Sequence, residues 1–368
     1  MSLFSSFIET DDLQIGEEIG RGTYGIVYKG KYLKSGKSVA IKILKNILIS
    51  KEDQTVFLRE AMIHSTIHHS GIVEFIGFRF PLCDNEIKKE KKEKKKERKE
   101  IISNPIIVTE YVTNGSLKDI NERYLKSRKV LPNYGPTERA IIIFGIAYAM
   151  CKAHSANVIH QDLTIANILL DEKMHPKIAD FGCARLASDK TDFSMVGTPF
   201  SMAPEVIRCE HHDKPADVYS FGILLISLFT NEVIMNDGLP IKSVPDFLSR
   251  IEEGVRPRRP HGMPYFYWKL AKKCWNDDPS QRPTFERVVS KLLQNDEAAL
   301  QEKGVTTDLE RLFSYQKEIM KDHKKKSNHF PNSQTYVAKK IPVPPSNKFF
   351  YSSYRREFRK SSFNWKRH

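Results

Sequence analysis

A chain of 368 residues with a formal charge of +14, 40% apolar and 28% charged, is long enough for one large or two medium cores and has an ordinary globular composition. Its five cysteines, Cys83, Cys151, Cys183, Cys209 and Cys274, form no CxxC pair, which argues against a disulfide framework and a zinc site and fits a reducing compartment. The longest apolar run, Phe221 to Phe229, is far short of the ~20 residues of a bilayer span, and the start carries neither a basic leader nor a myristoylation glycine. The expectation is a cytoplasmic protein with nuclear access open and no transmembrane segment.

The charge is local. Residues 88–100 hold nine Lys/Arg against four Glu, and residues 301–368 hold sixteen Lys/Arg against six Asp/Glu. Those two appendages account for the whole excess, so the body between them is nearly neutral.

In chain order, apolar and polar residues alternate from Leu13 to Tyr32 around a glycine cluster, and a second β-like run covers Ser38 to Leu44. A helical stretch runs from Ser50 through Phe57, Met62 and Ile67. Further β-like runs follow at Ile72–Phe78 and Ile106–Val112, separated by the Lys/Glu tract. Beyond Leu117 helical spacing dominates, as in Ile142, Ile143, Ile146, Ala147 and Met150. A strand-turn-strand stretch interrupts it at Val158–Ile178, and helices resume at Asp217–Phe229 and Tyr265–Cys274. Strands first and helices later predict an α+β protein of two unequal lobes.

Gly20-Arg-Gly22-Thr-Tyr-Gly25 fits GxGxxG. A dinucleotide fold would open a helix there, but a β pattern follows, so the glycines belong to a hairpin whose N–H groups can approach phosphate oxygens. Lys42 then stands in an otherwise apolar strand and needs a carboxylate partner, which Glu60 on the next helix can supply. Further on come His160-Gln-Asp162-Leu-Thr-Ile-Ala-Asn167, Asp180-Phe-Gly182 and Ala203-Pro-Glu205. In this order and spacing the motifs resemble the protein kinase family, over about residues 13–296.

The resemblance implies a bilobal kinase fold: a small β-rich N-lobe with one main helix and a large, mostly helical C-lobe. The expected divisions are an N-terminal extension at 1–12, an N-lobe at 13–112 containing a Lys/Glu insert at 84–104, a C-lobe at 113–296, and a basic flexible tail at 297–368. It implies ATP and Mg2+ as cofactors and proteins as substrates. Asp162 would be the catalytic base, Lys42 would hold the phosphates with Glu60 behind it, and Asn167 and Asp180 would hold the metal. Ile19, Gly20, Gly22, Gly25, Val27, Ala40, the gatekeeper Thr109, the hinge residues Glu110 and Val112, and Leu169 would surround the nucleotide. Glu205 and Arg282 are the family's expected structural ion pair.

Gly197-Thr198-Pro199 resembles Ser/Thr kinases, whereas Thr164 replaces the lysine usual there. Glu110-Tyr-Val, Ser116-Leu, Asp217-Val-Tyr-Ser-Phe-Gly and Cys274-Trp lean towards the tyrosine and tyrosine-kinase-like branches. A tyrosine-kinase-like Ser/Thr kinase is the reading, with tyrosine or dual specificity and a pseudokinase scaffold as alternatives. Three residues depart from the pattern. Gln161 replaces the arginine that receives an activation-segment phosphate, which makes activity independent of phosphate docking there unless Arg185 takes its place. His64 replaces an apolar residue expected to stack with Phe75, Phe181 and His160, as a neutral packed ring or as a pH-sensitive one. Ser201 replaces an aromatic residue, with a looser substrate platform expected. The tail, with Lys324-Lys-Lys326 and aromatics interleaved with cations from Phe349 to Trp365, suggests contact with a polyanion such as a membrane surface or nucleic acid.

Overall fold

Strand alternation builds the smaller lobe. The computed structural model describes residues 6–22, 25–44, 51–80, 104–127, 131, 133–187, 195, 197–230, 235–294, 301–302 and 305–326. Strands β1 (Leu13–Gly22), β2 (Gly25–Tyr32), β3 (Lys37–Leu44), β4 (Phe75–Arg79) and β5 (Ile106–Glu110) form one antiparallel sheet in the order β1-β2-β3-β5-β4. Along β3, Val39, Ile41 and Ile43 share one face and are buried with Ile8, Leu13, Ile106 and Val108. Ala40 and Lys42 alternate onto the opposite face, where they are only half-buried. Helix α1 (Lys51–Thr66), between β3 and β4, packs Phe57 and Ala61 against Phe75, Phe78 and Ile107.

The larger lobe is built on two largely apolar helices that are buried on nearly every side. Helix α2 (Leu117–Lys126) is capped by Ser116, whose hydroxyl oxygen accepts from the Asp119 N–H. Helix α3 (Pro136–Ser155) starts with proline, and Glu138 accepts from the Gly135 N–H at 2.9 Å; all of it but Lys152 and Ser155 is buried. The short strands β6 (Val158–Ile159), β7 (Ile168–Leu170), β8 (Pro176–Ile178) and β9 (Arg185–Leu186) pair as β6–β9 and β7–β8. Helix α4 (Pro204–Ile207) precedes the second central helix, α5 (Pro215–Ser227), and α6 (Val244–Glu252), α7 (Tyr265–Cys274) and α8 (Phe285–Leu293) follow. Backbone bonds from Val73 N–H to the Ile178 carbonyl and from Ile178 N–H to the Gly71 carbonyl, both 2.9 Å, stitch the lobes together.

Described segments on both flanks of the two lobes pack more closely than their sequences suggest. Ile8 is buried and its N–H donates to the Phe78 carbonyl at 2.9 Å, so part of the 1–12 extension lies on β4. After the small pair β10 (Gln301–Glu302) and β11 (Val305–Thr306) comes helix α9 (Leu309–Lys326). Its Leu312, Tyr315 and Ile319 belong to the main core against α3. The Asp308 N–H donates to Thr137 Oγ1, and Arg311 pairs with Glu138 at 2.9 Å. The flexible tail expected from 297 is corrected over this stretch: an apolar i, i+3, i+7 stripe lies inside a strongly basic segment. Residues 84–103 of the insert and 327–368 of the tail lie outside the described residues. Among the described residues no helix is long and apolar enough to cross a membrane.

Candidate active site

The β2–β3–β5 register sets one wall of the cleft. Val27 stands opposite Lys42, and Ala40 opposite Thr109. Val27, Ala40, Thr109 and Glu110 are half-buried beside neighbours such as Val39 and Val108 that are fully buried, as expected of side chains facing an open groove. Gly20 pairs with Val27 and Gly22 with Gly25 across the hairpin, whose tip, Thr23–Tyr24, lies outside the described residues. Gly25 has to be glycine: a Cβ there would come within 2.3 Å of the Ile43 carbonyl oxygen. Ile19 is exposed on β1. Val112 is buried at the hinge, and half-buried Leu169 on β7 bridges to Ser116 just beyond it.

Charge is concentrated where the lobes meet. Lys42 Nζ lies 2.7 Å from Asp180 Oδ1 and 3.6 Å from Glu60 Oε1. Burial opposes the Lys42 charge, but the Asp180 and Glu60 carboxylates outweigh it, so the ammonium is held protonated well above its ordinary pKa. Lys42 in turn keeps the Asp180 carboxyl below the usual range, while burial pushes that of Glu60 up. Asp180 adopts a left-handed backbone (φ 60°) and accepts from the Gly182 N–H. Phe181, now turned inward, stacks on His64 at 4.6 Å, and His64 lies 5.4 Å from Phe75. His160 meets the edge of Phe181 at 5.0 Å. His64 Nε2–H donates to the Val73 carbonyl at 2.8 Å, and burial pushes its pKa down to about 4. The ring is therefore neutral near pH 7, as the packed reading of this residue requires.

The catalytic-loop segment hangs from one buried carboxylate. Asp217, at the start of α5, accepts from the backbone N–H groups of His160 and Gln161, both at 2.8 Å, and from His154 Nε2–H at 2.9 Å. On this anchor Asp162 presents Oδ1 to the Thr198 N–H and Oδ2 to the Asn167 amide, each at 2.8 Å. The Ala179 N–H donates to the Asn167 carbonyl, which joins this loop to Asp180. Asn167 spends its Nδ2 on Asp162, leaving Oδ1 as the atom that can meet a cation. One carboxylate and one amide oxygen suit Mg2+, which takes few protein ligands and completes its shell with phosphate and water. Among the described residues no cluster of three His, Cys, Asp or Glu could cage a metal alone.

A family model described as protein kinase domain matches residues 13–293. The chain belongs to the protein kinase family. It is 36% identical over 288 residues to the putative serine/threonine-protein kinase/receptor R831 of Acanthamoeba polyphaga mimivirus, covering 78% of this chain and 16% of that protein. It is 33% identical over 287 residues to the dual specificity protein kinase pyk3 of Dictyostelium discoideum, covering 77% and 19%. It is 31% identical over 288 residues to the serine/threonine-protein kinase STY17 of Arabidopsis thaliana, covering 78% and 45%. The matched part thus spans less than half the length of each of these relatives.

The kinase domain contains working parts that its motifs do not spell out. The side chain of Glu110 accepts from Lys177 Nζ at 2.7 Å and from the Glu74 N–H at 2.8 Å, which ties the hinge to both lobes. Thr198 supports Asp162 through its backbone N–H, a contact no side-chain motif reports. Ser201 corrects the expected loosening: it is buried, its hydroxyl donates to the Thr198 carbonyl at 3.0 Å, and its carbonyl accepts from Ser220 Oγ. Arg282 and Glu205 form a buried bidentate pair at 2.6 and 2.9 Å.

Proposed function

We propose that this chain is a tyrosine-kinase-like Ser/Thr protein kinase that uses ATP and Mg2+. The observation that carries the reading is Asp162 held by two hydrogen bonds beside a loop that joins it to the Lys42–Asp180 pair. A scaffold would have no need to keep these groups aligned. Relatives named serine/threonine-protein kinases support the choice of acceptor.

In this mechanism the Val27, Ala40 and Leu169 side chains enclose the base, while the hinge backbone at Glu110 and Val112 meets its edge. Lys42 stabilises the phosphate charge, and Glu60 keeps Lys42 in place. Bound Mg2+, held by Asp180 and Asn167, would supply further neutralisation of the phosphates. Asp162 accepts the hydrogen bond of the substrate hydroxyl and aims its oxygen at the γ-phosphorus. The new O–P bond forms as the β–γ bridging P–O bond breaks, ADP leaves with that bond's electrons, and the hydroxyl proton passes to Asp162. Little covalent work falls to the protein; the rate comes from alignment and charge stabilisation.

Incubation with γ-labelled ATP and a mixed protein acceptor, followed by identification of the labelled amino acid, tests the assignment. Label on serine or threonine is expected. Thr164 and the dual-specificity relative give tyrosine transfer a second place, and label on tyrosine alone would reverse the order. The basic, aromatic sequence of the tail supports polyanion contact, which salt-dependent binding of the chain to anionic vesicles or RNA would test.

A further inference from the structure

Gln161 breaks the family pattern, and its surroundings suggest what replaces the arginine. Its backbone is left-handed at φ 65°, a conformation that costs a residue with a side chain. Three contacts surround it. Its N–H donates to Asp217 at 2.8 Å, its carbonyl lies against Gly197, and its side-chain amide meets His212 Nε2 at 2.9 Å. The second contact is tight enough that a Cβ on Gly197 would come within 2.3 Å of the Gln161 oxygen.

His212 is buried in the loop between α4 and α5. Its Nδ1 faces the Glu210 carbonyl at 2.9 Å, and a carbonyl can only accept. Nδ1 therefore carries the proton, Nε2 offers a lone pair, and Gln161 donates to it. Burial also lowers the His212 pKa; the charged or titratable groups around it are Arg185, Glu205 and His211. Arg185, the other candidate receiver of a phosphate, donates to the carbonyls of Leu186 and His212 instead. It anchors the same loop.

We propose that neutral His212 is a positioning residue for phosphoryl transfer. It accepts a hydrogen bond from Gln161 and so fixes the backbone that carries Asp162, with no activation-segment phosphate required. The inference rests on the kinase reading above and adds a residue that acts only through Gln161.

Steady-state kinetics of the full chain, before and after phosphatase treatment, test it. The treated wild type should keep its kcat. His212→Phe retains a ring but loses both the Nε2 acceptor and the Nδ1 donor to Glu210, and should lower kcat about tenfold through the lost Gln161 bond, with KM for ATP within about twofold. His212→Gln puts an amide oxygen near the Nε2 position and should restore most of the rate. Gln161→Leu should match His212→Phe, and the double variant should lose no more than either alone. Should His212→Phe fold poorly, Gln161→Leu, at a half-buried side chain, decides the matter alone. Full kcat in either single variant, losses that multiply in the double variant, or a wild type silenced by phosphatase would each overturn the inference. A wild type inactive even before treatment would overturn the proposed function, and this inference with it.

Discussion

His64 shows how one histidine inside an aromatic stack sets a pH response. Its pKa of about 4 lies below the 6.5 of an unfolded histidine, so the native state binds fewer protons than the unfolded one. The stability at stake is fully present above pH 6.5 and is lost as pH falls through 6.5 towards 4, with a limit on the order of 3 kcal/mol. His64→Leu should flatten that acid slope in denaturant titrations and leave the activity profile between about pH 6.5 and 8 unchanged. An activity profile that moved would return the ring to the role of sensor. Asp217 is the residue on which the site depends most without touching the reaction. Asp217→Ala leaves two backbone N–H groups and His154 without their acceptor. Each orphaned buried donor costs ~1–3 kcal/mol, and displacement of Asp162 should lower kcat about a hundredfold. Wild-type kcat in a folded variant would show that the loop holds itself.

At the scale of elements, the Glu205–Arg282 pair fastens the end of the activation segment to the loop before α8. Glu205→Ala strands a guanidinium that is fully enclosed, with an expected loss of ~3–5 kcal/mol in urea unfolding. Pairing it with Arg282→Met should recover part of that loss, because the uncompensated charge goes with it. The pair was legible in sequence because both partners stand in fixed motifs, as were Lys42, Glu60, Asp162, Asn167 and Asp180. Strand and helix order was legible for a different reason. The period-2 run of β3 can bury only one face, and the long, mostly apolar runs of α3 and α5 must be surrounded by the rest of the lobe. Less legible were contacts made by backbone atoms, such as the Thr198 N–H on Asp162, and pairs far apart in the chain with no motif, such as Lys177 with Glu110 or Gln161 with His212. Helix α9 was hidden by composition: its charge masked the Leu312, Tyr315 and Ile319 stripe.

For the whole molecule, the core does not stop where the family match ends at residue 293. Helix α9 closes over α3, and Tyr315 packs tightly enough that a Cβ on Gly145 would lie 2.3 Å from its hydroxyl oxygen. Removing α9, with a chain ending at Gln294, deletes three buried apolar side chains and uncovers the face of α3 beneath them. At ~1.5–3 kcal/mol for each, the shortened protein should lose on the order of 5 kcal/mol. A denaturant midpoint unchanged by the truncation would make α9 an accessory. The two lobes, the hinge tie through Glu110 and the loop anchored on Asp217 all serve to bring Lys42, Asp180 and Asp162 into one arrangement.

That arrangement is tested most directly by Asp162→Asn, compared with the wild type for both nucleotide binding and transfer of labelled phosphate to a protein acceptor. The account predicts nucleotide binding within about twofold and transfer reduced on the order of a thousandfold, since an amide cannot receive the hydroxyl proton and can accept from only one of the two donors that hold Asp162. Transfer at the wild-type rate would contradict it, because Asp162 would then not be the base.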